Sequence, residues 1–138
     1  TLALNDFIRM GITQDWATHQ IGHELTALHG VTHGHSLAIV FPGTLRVLRE
    51  QKQAKLVQYA ERIFNITEGS DQACAEKAIE KTEQFYRSLG LTTRLSELNI
   101  GNETIEIIAK RLNERGVAFG ENRNVTGDVA REILKNCL

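Results

Sequence analysis

Residues 14–42 read QDWATHQIGHELTALHGVTHGHSLAIVFP, and the rest of the chain can be interpreted from this stretch outward. It contains all five histidines of the 138-residue chain. Neutral imidazole is the commonest protein ligand of metal ions, and its unperturbed pKa of about 6.5 permits proton transfer near neutral pH. Most neighbouring residues are apolar or small. Histidines concentrated here therefore indicate a metal-binding or proton-transfer site rather than side chains scattered over the surface.

Apolar residues early in this stretch recur with helical spacing, and the helix that they predict begins after Thr13, whose hydroxyl can cap it. One side of the helix carries the stripe expected to face a core, namely Ala17, Ile21, Leu25 and Leu28. A second side, roughly opposite, carries Trp16, His19, His23 and Ala27. Because both sides carry few strongly polar residues, we expect this helix to be central in the bundle and buried.

Glycines break the pattern between residues 30 and 34, and Ser36 can cap the next helix, whose first turns (LAIVF) are apolar all round. Ser70 and Thr126 stand as caps before two later helical patterns, and residues 2–10 read as a helix preceding the first. The chain has a single proline and few β-branched runs. It is therefore predicted to be all-α, a single helical bundle.

Length and composition narrow the possible functions. At 138 residues, with a net charge of −1 and 24% charged residues, the chain fits one domain and is unlike nucleic-acid-binding domains, which need clustered Lys and Arg. No apolar run reaches the ~18 residues of a membrane span, and the start has no signal-peptide layout. Two cysteines, Cys74 and Cys137, are too few for a disulfide scaffold and indicate a reducing compartment, so we expect a cytoplasmic protein. The chain opens on Thr1 with a helical pattern already under way, as though cut from a longer protein.

The spacing of the histidines is compatible with a metal site. His19 and His23 leave the same helix face, and His33 follows a glycine break and can fold back towards them. Standard motifs fail: the second histidine of an HExxH zinc motif is replaced by Ala27, no CxxC pair occurs, and no glycine-rich phosphate loop follows a strand. A metal site and a set of hydrogen-bonded core histidines remain equally open from the residues alone. Asp15 is expected in the first turn of the helix, and its presence there is better explained by a favourable interaction with the helix dipole than by a local Asp-His-His triad.

Four segments of the chain resemble a known family: DWATHQIGHELTALHG, THGHSLAIVFP, YAERIFNITEGS and FGENRNVT. The first two place two histidines fourteen residues apart, with another four after the first and a glycine after the last. These segments resemble the iron-containing (group III) alcohol dehydrogenases, and most closely the butanol-dehydrogenase-like, NADPH-dependent aldehyde reductases. The resemblance covers residues 1–138 and implies the all-α C-terminal domain of a two-domain, dehydroquinate-synthase-like fold. The N-terminal dinucleotide-binding domain of that fold is expected to be absent here.

Site roles follow from this resemblance. His19 and His33 resemble two metal ligands of the family, and His23 resembles the histidine beside the reacting centre, close to substrate and nicotinamide. The two further ligands of the family, an Asp and a His, precede the region matched here. A divalent metal, Fe or Zn, is implied, together with NADP(H) rather than NAD(H), bound mainly by the N-terminal domain. No ligand role is implied for His29 and His35, which are expected to be loop or cap residues.

The implied activity is hydride transfer between NAD(P)H and an aldehyde in a full-length homodimer, with this chain inactive by itself. The GENRN segment, with Glu121 and Asn122, resembles a late loop near the cleft, although a simple helix-linking loop explains it better. Two alternatives remain. One is a sister enzyme of the same superfold, glycerol-dehydrogenase-like or dehydroquinate-synthase-like. The other is a stand-alone helical metal-binding or interaction module.

Overall fold

The computed structural model describes Phe7 and residues 10–138, and these residues form six α-helices and one short 3-10 helix. Within this described part there is no strand, only an isolated bridge between Phe119 and Val125. The all-α prediction is therefore confirmed, whereas the helix predicted over residues 2–10 lies largely outside the described residues. The helices are α1 (Ala17–His29), α2 (His33–Val47), α3 (Arg49–Phe64), α4 (Asp71–Ser88), α5 (Asn102–Glu114) and α6 (Gly127–Lys135), and the 3-10 helix is Ser96–Leu98.

The main core lies among α1, α2, α5 and α6, and α3 and α4 pack on each other beside α2. The predicted apolar stripe of α1 faces this core: Ala17, Ile21 and Leu25 are fully buried, and Leu28 packs against the same cluster. The first turns of α2 are also largely buried, as their apolar sequence predicts. The hydrophobic effect thus fixes one side of α1 and most of α2 against the rest of the bundle.

The second side of α1 does not face a core, which corrects the expectation of a helix buried on both sides. Trp16 is 39% exposed, and His23 and Ala27 are also exposed. The physical reason is that the apolar side of α1 packs into the core with α2 and α5, whereas on this second side the first residue of α2, His33, contacts His19 and His23 at the surface. The histidines consequently stand on an accessible face.

Two predicted helix caps are confirmed and two are wrong. The hydroxyls of Ser70 and Thr126 accept the N–H groups three residues ahead, at the starts of α4 and α6. Thr13 is not a cap, because α1 begins only at Ala17, whose N–H donates to Asp15 Oδ1 at 2.9 Å. Ser36 lies inside α2, and its hydroxyl donates to a carbonyl one turn earlier. A short polar side chain can bond backwards as well as forwards, so its presence does not by itself mark a helix start.

Candidate metal centre

His19 and His33 are brought together by the αα-hairpin formed by α1 and α2. His19 lies in the first turn of α1, and His33 is the first residue of α2. His19 Nδ1 and His33 Nε2 are 3.2 Å apart, and the two ring centroids are separated by 5.1 Å. Two imidazole nitrogens from separate helices therefore approach a common point.

The turn that returns the chain to His19 occupies residues 30–32. Gly30 has a left-handed conformation (φ 66°) and ends α1, and its N–H donates to Thr26 O at 2.9 Å. The Thr26 hydroxyl donates to Val31 O at 2.8 Å, which closes the turn from within. A glycine suits this position because a side chain would be strained at positive φ.

Close packing of α1 against α2 also helps to bring His33 near His19. A Cβ built on Gly22 would lie 2.8 Å from Ser36 Oγ, so the absence of a side chain at Gly22 lets the start of α2 lie tightly against α1. Ser36 is fully buried, and its hydroxyl donates to His33 O at 2.8 Å. The backbone of His33 is thus tied to the point of closest contact between the helices.

His23 lies beside this pair. Its ring centroid is 5.0 Å from that of His33, with the ring planes inclined by 37°, and its side chain is exposed. On the other side, Trp16 packs edge-on against His19 with a centroid separation of 5.0 Å. The three histidines singled out from the sequence therefore form one cluster, with His33 between the other two.

The surroundings favour the neutral form of His19. Partial burial lowers the pKa of His19 below its ordinary value, and the neighbouring imidazoles of His33 and His23 lower it further. A protonated imidazole cannot ligate a cation, and a lowered pKa keeps the ring nitrogen available at neutral pH.

The donor set fits part of a cation site. At metal–nitrogen distances of 2.0–2.1 Å, adjacent ligands at angles between octahedral and tetrahedral have nitrogens roughly 2.9–3.4 Å apart, and 3.2 Å falls inside this range. Within the residues that the structure describes, however, no group of three or more His, Cys, Asp or Glu side chains could hold a metal ion. His19 and His33 can therefore supply two ligands, and the described part of the chain does not supply a complete set.

The two remaining histidines make separate hydrogen bonds. His29 Nε2 lies 2.8 Å from Thr104 Oγ1 of α5, and His35 Nε2 lies 3.1 Å from Thr92 O and also contacts the Thr92 hydroxyl. A hydrogen bond from His35 to Thr92 O requires the proton on Nε2, because a carbonyl oxygen only accepts, whereas the Thr92 hydroxyl can donate or accept. Neither side chain joins the cluster around His33.

Asp15 is a helix cap and an ion-pair partner. Its Oδ1 accepts the Ala17 N–H, and its Oδ2 lies 2.8 Å from Lys52 Nζ. The contacts of Asp15 therefore agree with the helix-terminus interpretation rather than with a local Asp-His-His triad. Lys52 also lies 2.8 Å from Glu121 Oε1, so it holds the GENRN loop against the start of α1. Burial alone would lower the pKa of Lys52, but the hydrogen bonds to both carboxylates outweigh it and raise the pKa.

Glu24 is a buried, ion-paired carboxylate that the sequence interpretation missed. It follows His23 directly, is only 8% exposed, and contacts Arg115 Nη2 at 2.5 Å and Arg111 Nη1 at 3.7 Å. A carboxylate is rarely buried without a partner. The position of Glu24 between apolar stripe residues was the available signal. Its ion pairs tie α1 to α5 on the side opposite the histidine cluster.

A cavity of about 300 Å³ lies next to His19. Its wall is partly polar and partly apolar, and the other residues that line it are Asp15, Thr18, Leu37, Phe41 and Tyr86. Tyr86 comes from α4 and Phe41 from α2, so the cavity is bounded by three helices. A small organic molecule placed there would lie beside the imidazole of His19.

The described residues thus form a helical bundle whose α1–α2 hairpin presents paired imidazoles next to a small cavity. Residues 1–138 match the model of the Fe-containing alcohol dehydrogenase family, C-terminal, and the chain belongs to this family. The match favours the alcohol dehydrogenase interpretation over the sister enzymes of the same superfold.

Individual relatives agree with the family assignment. The chain is 48% identical over 136 residues to the NADPH-dependent aldehyde reductase YqhD of Escherichia coli, covering 98% of this chain and 35% of the relative. It is 41% identical to the NADP-dependent alcohol dehydrogenase 3 of Entamoeba histolytica, covering 99% of this chain and 34% of the relative.

Solved structures give the same result for the fold. The substrate- and cofactor-free form of the aldehyde reductase YqhD from E. coli superposes with a TM-score of 0.88 at 46% identity, covering 93% of this chain and 34% of that one. The NADH-dependent butanol dehydrogenase A of Thermotoga maritima gives 0.86 at 30% identity, covering 99% and 36%. The chain therefore spans about a third of the length of the relatives that it matches. In its described part, no helix has the length and apolar character that crossing a membrane requires.

Proposed function

We propose that residues 1–138 are the metal-binding C-terminal helical domain of an NAD(P)(H)-dependent alcohol dehydrogenase or aldehyde reductase. The observation that carries this proposal is the 3.2 Å approach of His19 Nδ1 to His33 Nε2 on an accessible face. The family assignment supports it, as do the names of the relatives, which are alcohol dehydrogenases and aldehyde reductases.

In this proposal His19 and His33 hold the cation through neutral imidazoles, and two further ligands come from residues outside the described part. When bound, a divalent cation supplies Lewis acidity towards the carbonyl oxygen of an aldehyde. The chain's own contribution is positional. The hairpin of α1 and α2 fixes the two nitrogens, and the solvent-open cavity beside His19 receives the small substrate.

His23 is the candidate proton carrier. Its ring lies 5.0 Å from that of His33, and its side chain is exposed. Imidazole exchanges protons readily near neutral pH, so His23 can deliver the proton that the reduced oxygen requires, or remove it in the direction of alcohol oxidation. This assignment gives His23 a role in turnover that does not require it to hold the metal.

The nicotinamide cofactor is proposed to be bound mainly by an N-terminal domain outside this chain. Of the relatives described above, those at 48% and 41% identity carry NADPH or NADP in their names, which supports NADP(H) over NAD(H). A relative of Bacillus subtilis at 34% identity is named a probable NADH-dependent butanol dehydrogenase, and comparing the oxidation rates of NADPH and NADH decides between the two cofactors. Without the dinucleotide domain, this chain alone is expected to be inactive.

The test compares the full-length protein with the 138-residue chain. Metal content is measured by elemental analysis, which also decides between Fe and Zn, and activity is measured as aldehyde-dependent oxidation of NADPH and NADH. His19→Ala and His33→Ala should lose metal and activity together, and His23→Ala should keep metal but turn over at least about tenfold more slowly. Thr32→Ala, at an exposed residue of the same turn, is the control and should behave as the native protein. Full metal content in His19→Ala, or tight stoichiometric metal on the short chain, would instead favour a stand-alone metal-binding module.

A cytoplasmic homodimer completes the proposal. Cys74 and Cys137 are both free and buried, which suits a reducing compartment. Light scattering on the full-length protein tests the dimer, and fractionation of the source cells tests the location.

A further inference from the structure

The two histidines outside the cluster flank the turn that delivers His33. His29 is the last residue of α1, and His35 is in the first turn of α2. Each uses its Nε2 to reach a different part of the bundle: His29 contacts Thr104 Oγ1 of α5 at 2.8 Å, and His35 contacts Thr92 O at 3.1 Å in the connection between α4 and α5. The turn is therefore anchored on both sides by imidazole groups.

Packing alone does not hold this turn in place. Its residues Gly30 and Thr32 are exposed, and Val31 is only half-buried. Beneath it lies a cavity of about 370 Å³ that opens to solvent. The wall of this cavity is formed by His29, Gly30, Val31, Thr32, His35, Leu98 and Ile100. Val31 packs against the main core, but the exposed residues on either side of it border this solvent-open cavity, so directional hydrogen bonds supply much of their restraint.

Local hydrogen bonds at the start of α2 run from the Ser36 hydroxyl to His33 O and from the Ser36 N–H to Thr32 O. Thr32 is the N-cap residue of α2, but its hydroxyl accepts no hydrogen bond from the backbone N–H groups of the first turn. Within that turn, His35 lies two residues after His33, and its bond to Thr92 fixes the helix start from outside. A shift of the turn by a few tenths of an ångström would change the 3.2 Å separation between His19 Nδ1 and His33 Nε2 directly.

We infer that His29 and His35 are positioning residues that set the distance between the two metal-ligand candidates, acting through the turn and not on the metal. The inference rests on the proposed function, because it assigns these residues to the same site. It predicts that their hydrogen-bonding capacity matters and their ionisation does not. Glutamine, whose amide reaches about as far as imidazole Nε2 and can donate or accept a hydrogen bond, should replace either histidine.

The test uses full-length protein stripped of metal, with Zn²⁺ as the probe and its affinity measured by competition with a chromophoric chelator. His29→Ala and His35→Ala should each weaken Zn²⁺ binding about 10-fold, at the lower end of the effect of outer residues in metal sites. His29→Gln and His35→Gln should restore native affinity. Thr32→Ala is the matched control in the same turn and should bind Zn²⁺ as the native protein does.

A second readout separates positioning from a loss of folding. The visible absorption of the Co²⁺-loaded protein reports ligand geometry, and it should change in the alanine variants and return in the glutamine variants. Thr104→Val removes the partner of His29 from α5 without altering the turn, and it should weaken Zn²⁺ binding as His29→Ala does. Native Zn²⁺ affinity in either folded alanine variant, or failure of glutamine to restore it, would overturn the role of that histidine. Failure of the proposed function would look different, because His19→Ala and His33→Ala would then bind Zn²⁺ as tightly as the native protein.

Discussion

Replacing Gly22 by alanine tests whether close packing of α1 on α2 sets the position of His33. The new Cβ would lie 2.8 Å from Ser36 Oγ but 3.5 Å from Ser36 Cβ, so the hydroxyl is the atom that must move. That hydroxyl donates to the carbonyl oxygen of His33 at 2.8 Å. The substitution therefore reaches the candidate ligand through its own backbone.

The expected magnitude comes from three opposing contributions. Alanine in place of an interior helical glycine stabilises by about 1 kcal/mol. Loss of the Ser36 hydrogen bond costs about 1 kcal/mol, and overpacking of the interface costs about 1–3 kcal/mol. Gly22→Ala should therefore lower the free energy of unfolding by about 1–3 kcal/mol. In the double variant Gly22→Ala/Ser36→Ala the overpacking disappears, so its stability should return to within about 1 kcal/mol of the native value.

Urea denaturation of the native protein, the two single variants and the double variant measures these differences. Gly34→Ala is the control, because a Cβ added at this helical glycine meets no atom within 4 Å and should not destabilise the protein. Zn²⁺ affinity should be weakened in Gly22→Ala and recovered in the double variant. If the destabilisations of the two single variants simply add, so that the double variant is the least stable, the packing argument is refuted.

Three further predictions concern residues away from the cluster. Arg115→Ala should lower the free energy of unfolding, measured by urea denaturation, by about 1 kcal/mol. The substitution removes the nearer of the two arginines paired with the buried Glu24, and the effect is small because Arg115 is itself half exposed. Burial alone would raise the pKa of Glu83, but hydrogen bonds from Arg46 and Thr93 outweigh it and lower the pKa. The stability that this carboxylate contributes is therefore present above about pH 4.5, the ordinary glutamate value, and is lost as the pH falls through the lowered pKa, so native and Glu83→Gln unfolding curves should converge in acid. Burial raises the pKa of Cys137 to about 12, so mass spectrometry should find no alkylation of this thiol by iodoacetamide at pH 8 until urea unfolds the chain.

The core side of α1 was predictable because burial of apolar surface follows helical periodicity. Ala17, Ile21 and Leu25 are buried as their spacing indicates. The opposite side was wrongly predicted to be buried, since periodicity shows that a side is apolar-leaning but not that another element lies against it. Trp16 and Ala27 are exposed for this reason.

Two helix starts were predictable from their caps. Ser70 and Thr126 precede their helices and act as caps. Before α1, Thr13 competes with Asp15, and the carboxylate takes the N–H of the first helical residue. A sequence shows which residues can cap a helix but not which of two neighbours the backbone selects.

The candidate site was predictable in its local part. The four-residue spacing placed His19 and His23 on one face, and the glycine break indicated that His33 could return to them. The supporting contacts were not predictable, because Glu24 meets Arg115 across 91 residues and the Lys52 pairs also join separate elements. Such pairings depend on the packing of the whole bundle.

The two imidazoles that approach each other are only 14 residues apart, on consecutive helices, so closing the chain between them costs little entropy. A hairpin that is cheap to close is not thereby rigid, and a solvent-open cavity lies beneath its turn. Besides the local bonds of Thr26 and Ser36, the hydrogen bonds that restrain it come from positions 75 and 57 residues away, on α5 and on the connection that precedes it. The identity of the ligand pair is therefore a local property of the sequence, whereas its spacing is a property of the folded bundle. It follows that Thr104→Val on α5 should change metal affinity more than substitution of the exposed Ala27 on α1.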